Sequence, residues 1–99
     1  MEMEKLINKV NKWFENRDIA VGDGLGQIKK LKEEVDELEA AHAANDFTEE
    51  VDAVGDITVV LIGYCLQRGL DFAECLAHAY EEIKDRTGHV KDGVLAKNE

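Results

Sequence analysis

The sequence predicts an all-α domain, a four-helix bundle-like fold with an antiparallel central hairpin of helices. Three observations carry that reading. No proline occurs in the 99 residues, so no stretch is barred from a helix interior. Apolar residues recur at three- and four-residue spacing through successive stretches of the chain, the period of an amphipathic helix. The breaks between those stretches are short and built of Gly, Asn and Asp, which end helices and start turns.

The first helix is expected over residues 3 to about 16, where Leu6, Ile7, Val10, Trp13 and Phe14 fall at i, i+1, i+4, i+7 and i+8. A connection follows from Asn16 to Gly24, broken by Gly22-Asp23-Gly24; its Ile19 and Val21 are expected to pack in part. The second helix should run from about Leu25 to Ala44, with Ile28, Leu31, Val35 and Leu38 forming a narrow apolar seam. Asn45-Asp46-Phe47 interrupts the pattern, and so short a link turns the third helix back antiparallel. Asp46 or Thr48 is the expected N-cap.

The third helix, about Thr48 to Arg68, is apolar nearly all round from Ile57 to Leu66 and is expected to be the most buried element, at a core or subunit interface. Gly69 suits its C′ position. Asp71-Phe72-Ala73-Glu74 has the form of a capping box, and Phe72, Cys75, Leu76, Ala79 and Ile83 mark a fourth helix ending near Arg86 to Gly88. Beyond it, Val90-Lys91-Asp92-Gly93-Val94-Leu95 sets an Asp-Gly turn between short apolar pieces, the mark of a short C-terminal β-hairpin. Residues 1–99 read as one domain without repeats or low-complexity stretches.

Composition narrows the function. With 44% hydrophobic and 34% charged residues, the chain suits a helical domain better than a β-sandwich or a disordered segment. A net charge of −10 argues against nucleic acid as a partner, because that backbone is bound by clustered Lys and Arg. Divalent cations, or anionic ligands arriving with cations, fit better. Cys65 and Cys75 lack CxxC spacing and sit among apolar neighbours, so both are expected to be reduced core residues. The N-terminal MEMEKLINKV has no basic region followed by an apolar run and does not read as a signal peptide. Ile57 to Leu66 has about half the length that spans a bilayer. A soluble, cytoplasmic protein with no membrane partner is therefore expected, and its small size favours self-association as a homodimer or homotetramer.

The carboxylates concentrate in residues 33 to 56. At about 100° per residue, Glu49, Asp52 and Asp56 share one stripe of the third helix, which runs on into Val59, Val60 and Gly63. On the second helix Gln27, Lys30, Glu34, Glu37 and Ala41 recur at 3-4-3-4 spacing beside the apolar seam. If the antiparallel neighbour packs on that flank, the two acidic stripes face each other. Desolvated carboxylates shift their pKa or find cations. Mg²⁺, with Mn²⁺ as its substitute, takes oxygen ligands and keeps waters for phosphates. A plainer reading makes Glu a good helix former, Lys29–Glu33 and Lys30–Glu34 solvated i,i+4 pairs, and Glu49 and Glu50 first-turn residues favoured by the helix dipole. Asp56 resists that reading, because it is a poor helix former at the start of the most apolar run.

Glu33-Glu34-Val35-Asp36-Glu37, followed by Glu49-Glu50-Val51-Asp52-Ala53-Val54-Gly55-Asp56-Ile57, resembles the all-α nucleoside triphosphate pyrophosphohydrolases of the MazG type, whose signature is EExxE and then ExxD. The tail Ala79-Tyr80-Glu81-Glu82-Ile83-Lys84-Asp85-Arg86-Thr87-Gly88 and the later Asp92-Gly93-Val94 are similar to small MazG-like proteins often found in phages. The chain departs from the pattern at one point. If the ExxD aspartate is Asp56, Ala53 stands where its glutamate belongs, and the literal match, Glu49 to Asp52, lies one turn early.

The resemblance implies cleavage of an NTP or dNTP between its α and β phosphates, giving a monophosphate and pyrophosphate. It also implies Glu34, Glu37, Asp52 and Asp56 as metal ligands, with Glu33 or Glu49 orienting the attacking water. Lys84, Arg86 and Lys91, near the end of the fourth helix, offer cations for phosphates; they also suit a helix C-terminus. Gln27 and Lys30 share the acidic stripe and face either the nucleotide or solvent. Trp13 could stack on a base, but its place in the apolar stripe of the first helix favours core packing. His42, His78 and His89 lack metal-ligand spacing. Two other readings compete: a non-catalytic acidic helical module that binds a basic partner, and a related all-α pyrophosphohydrolase acting on a phosphoribosyl nucleotide or restricted to dUTP.

Overall fold

In the computed structural model, which describes residues 2–97, α1 spans Met3–Asn16, α2 Leu25–Ala43, α3 Phe47–Arg68 and α4 Phe72–Ile83. Strands β1 (Gly88–Lys91) and β2 (Val94–Lys97) close the described chain as an antiparallel hairpin. The fold is the expected all-α bundle-like arrangement with a C-terminal hairpin. Asp92 and Gly93 both take positive φ, 52° and 77°, which is what a tight two-residue turn between twisted strands requires.

Local chemistry sets the helix ends. Asn45 at φ 55° stops α2, and the Asp46 N–H returns to the Ala41 carbonyl at 2.9 Å, a Schellman closure. The Asp46 side chain then accepts from the Glu49 N–H at 3.2 Å, so one residue closes α2 and opens α3. Gly69, at φ 69°, ends α3, with the Leu70 N–H bonded to the Cys65 carbonyl at 2.8 Å. Asp71 caps α4 through the Glu74 N–H at 3.0 Å. Helix α4 stops at Ile83, short of the Arg86 to Gly88 expected from sequence: the Arg86 N–H turns back to the Ile83 carbonyl at 2.9 Å, and Gly88 is taken into β1.

The core lies where α1 and α2 pack on α3. Phe14, Ala41, Ala53, Val60, Ile62 and Cys65 are its buried apolar residues. Small Ala41 and Ala53 let α2 and α3 approach closely. Gly63 does the same for α1: a Cβ there would fall inside the Phe14 ring's contact distance. The loop between α1 and α2 is tied to α3 by Gln67, whose amide donates to the Ile19 carbonyl at 3.0 Å and accepts from the Gly24 N–H at 3.2 Å.

Three residues depart from their expected places. Trp13 is 45% exposed, because its neighbour Phe14 occupies the Gly63 notch. Val21 is almost fully exposed, since the loop is held by Gln67 rather than by its own apolar side chains. Cys75 is exposed while Cys65 is buried, because α4 leans on the end of α3 at 104° and buries none of its own residues. Burial pushes the Cys65 thiol pKa up, and neighbouring Cys75 adds to the shift. Among the described residues no single helix is long and apolar enough to cross a membrane.

Candidate metal centre

The antiparallel α2–α3 pair brings Glu34 and Glu37, one turn apart on α2, to Asp56 on α3. One carboxylate oxygen from each lies within 4.8 Å of the other two. Glu34 is 4% exposed, while Glu37 and Asp56 are open to solvent. Glu34 Oε1 accepts from Lys30 Nζ at 3.2 Å, but its buried Oε2 has no hydrogen-bond donor.

The electrostatics describe a site short of positive charge. Glu37 can donate to Glu34 only while it carries a proton; that hydrogen bond, followed by the charge of Glu34, raises the Glu37 pKa. Lys30 is held protonated above the usual lysine range, first by its hydrogen bond to Glu34 and then by that carboxylate's charge. Two like charges so close oppose each other's ionisation unless a cation intervenes. An all-oxygen cluster with one buried oxygen lacking a donor suits a hard divalent ion such as Mg²⁺ or Mn²⁺. Glu34, Glu37 and Asp56 are the residues able to hold it.

The other expected site residues lie around this cluster. Asp52 is exposed and is not among the three converging carboxylates; the position that turns inward is Ala53, 3% exposed. Glu49 borders a shallow depression beside Glu37, with Ala41 and Asp46. Glu33 is exposed and pairs with Lys30 at 3.7 Å. Gln27 and Lys30 line a cavity of about 350 Å³ together with Glu34, Asp56 and Trp13. Lys84 pairs with Glu81 at 2.8 Å, and neither it, Arg86 nor Lys91 lines that cavity.

Periodicity favours the core for Trp13 over a stacking role, yet the residue forms part of the cavity wall. Its ring meets Phe14 edge-on, with centroids 5.2 Å apart and planes at 84°. The Arg17 guanidinium lies 4.3 Å from its centroid. The sequence signal for this placement is the adjacent aromatic pair opposite a helix that bears a single glycine in its buried run.

A family model described as phosphoribosyl-ATP pyrophosphohydrolase matches residues 3–83, a span that includes all four helices and every carboxylate of the cluster. No curated protein matches the chain, and no solved structure does.

Proposed function

The chain belongs to the phosphoribosyl-ATP pyrophosphohydrolase family, a MazG-like family of all-α pyrophosphohydrolases, and from that premise we propose a Mg²⁺-dependent enzyme that cleaves a nucleotide's triphosphate between the α and β phosphates. The observation that carries the reading is the convergence of Glu34, Glu37 and Asp56 on one point, with a buried Glu34 oxygen that lacks a donor. The family's description supports phosphoribosyl-ATP as the first substrate to consider. The sequence likeness to MazG-type enzymes supports NTPs and dNTPs, including dUTP, as the second. Both classes carry a triphosphate.

In this reading Glu34, Glu37 and Asp56 hold the cation, and Asp52 stands at the rim, one turn before Asp56. When bound, the ion would offset the charge that develops on the phosphate oxygens. Glu49, beside Glu37, takes the proton from the attacking water, with Glu33 as the alternative base. The water oxygen bonds to phosphorus as the bond to the departing pyrophosphate breaks. Lys30 and Gln27 line the same cavity as Glu34 and Asp56, where an ammonium and an amide can hold phosphate oxygens.

Assembly as a homodimer or homotetramer belongs to the same proposal. It is supported by α4, which buries no residue and leaves Leu76, Tyr80 and Ile83 exposed. Lys84, Arg86 and Lys91 would then serve phosphates only where a second copy brings them to the cavity.

The deciding experiment is pyrophosphate release from a panel of phosphoribosyl-ATP, NTPs and dNTPs with Mg²⁺. Turnover of at least one compound is expected. No turnover of any, with Mg²⁺ binding unaltered in Asp56→Ala, overturns the proposal.

A further inference from the structure

We infer that Trp13 is the base platform of this site: the aromatic base of the nucleotide lies against the indole while the phosphates reach Glu34, Glu37 and Asp56. The inference rests on the nucleotide reading above and adds which side chain recognises the base.

A tryptophan on the apolar stripe of a helix is ordinarily buried, and this one is 45% exposed. It is not loose: Phe14, locked into the core, holds its position. The indole lines the cavity that Glu34 and Asp56 also line, and it borders a second one, of about 400 Å³, shared with Lys9, Val10, Asp56 and Val59. An aromatic plane and the acidic cluster thus open into one space, apolar at the indole and charged at the carboxylates. A nucleotide has the same polarity, a flat π-face at one end and phosphates at the other. Arg17, exposed and bonded to the Trp13 carbonyl at 3.2 Å, lies over one face of the ring, so the base takes the side of the indole that opens to the cavity, with a cation behind it. Stacking of a base on an aromatic side chain is tolerant of base identity, so the platform supplies affinity for a base and leaves the choice among bases to other contacts.

Trp13 is the only tryptophan in the chain, so its emission reports on this one place. Titration of the full-length protein with AMP in the presence of Mg²⁺ is expected to change the indole emission saturably, whereas ribose 5-phosphate, which has no base, is expected to leave it unchanged. In calorimetry Trp13→Ala should bind AMP about tenfold more weakly or worse. Trp13→Phe, which keeps a stacking surface, should stay within a few-fold of the wild type, and circular dichroism should show both variants folded. The inference is overturned if AMP causes no saturable emission change, if ribose 5-phosphate causes the same one, or if Trp13→Ala binds AMP as tightly as wild type. Failure of hydrolysis across the substrate panel with the AMP response intact would count against the catalytic reading alone. Turnover with an unaltered KM in Trp13→Ala would count against the base platform alone.

Discussion

Lys30 Nζ lies 3.2 Å from Glu34 Oε1, and the other oxygen of that carboxylate is buried without a donor. The lysine therefore satisfies half of a buried charge. The remaining half decides how the protein responds to a divalent cation.

Glu34→Gln removes that charge and places an amide donor beside Glu37. In metal-free buffer the melting temperature should be unchanged or higher. Wild-type protein should gain roughly 2.7 kcal/mol at a Mg²⁺ concentration about a hundred times its Kd, and the variant should lose that gain. Thermal melts with and without Mg²⁺ check both halves.

Asp56→Ala should lower pyrophosphate release by at least about a hundredfold while leaving the circular dichroism spectrum intact, because Asp56 is exposed. The reciprocal change, Ala53→Glu, puts a carboxylate at a position that is 3% exposed. Without metal it should destabilise the protein by about 2–4 kcal/mol; with Mg²⁺ much of that loss should be recovered and metal affinity should rise. Urea unfolding with and without Mg²⁺ measures the difference.

The cluster also contributes to the pH dependence of the metal-free protein. Because the Glu37 pKa is raised in the folded state, its contribution is fully present below the ordinary glutamate value and is lost as pH rises through the raised one. The Lys30 pKa is raised too, so its contribution persists through neutrality and disappears only as pH climbs past the usual lysine value to the raised one. Urea midpoints should fall in those two windows, and saturating Mg²⁺ should remove the acidic one.

Gly63→Ala and Gly55→Ala are the same substitution in one helix with opposite expected signs. At Gly63 a methyl group meets the Phe14 ring, and the overpacking should cost about 1–3 kcal/mol. At Gly55 nothing lies within 4 Å of the new Cβ, so the better helix propensity of Ala should add up to about 1 kcal/mol. Denaturant melts of the two variants decide.

Leu76→Glu with Tyr80→Glu places charge on the exposed face of α4. Light scattering at micromolar concentration should find wild-type protein as a dimer or tetramer and the double variant shifted towards monomer, with little change in helicity. A monomeric wild type would overturn the assembly proposal.

Helix periodicity located the acidic stripe of α2, and the short Asn45-Asp46-Phe47 link the antiparallel return of α3. Poor helix propensity at the start of the apolar run singled out Asp56 as the carboxylate hardest to treat as solvated surface. Periodicity could not choose between Asp52 and Ala53. These flank Asp56 on opposite sides of the helical wheel, and which of them faces α2 depends on the rotation of α3 against its neighbour, a tertiary quantity. The same limit applied to Trp13 and Phe14, since the notch that selects Phe14 is made by Gly63, far along the chain. Cys75 reads as core in any apolar-pattern count and is exposed because α4 finds too little surface within the chain to cover it. The basic residues after α4 are a third case: sequence proximity grouped Lys84, Arg86 and Lys91, but in one chain they lie outside the cavity that Glu34 and Asp56 line.

Phe14 seated against Gly63 also has a mechanical meaning. Successive side chains on a helix are separated by about 100° of rotation, so fixing the azimuth of Phe14 fixes that of Trp13. The indole's angle towards the carboxylates is therefore set from the adjacent face of α1, where Phe14 meets α3. A change in the interior that turns this helix by a few degrees would retune nucleotide affinity without touching a residue in contact with the ligand, coupling the tightness of the core to the aim of the cavity wall.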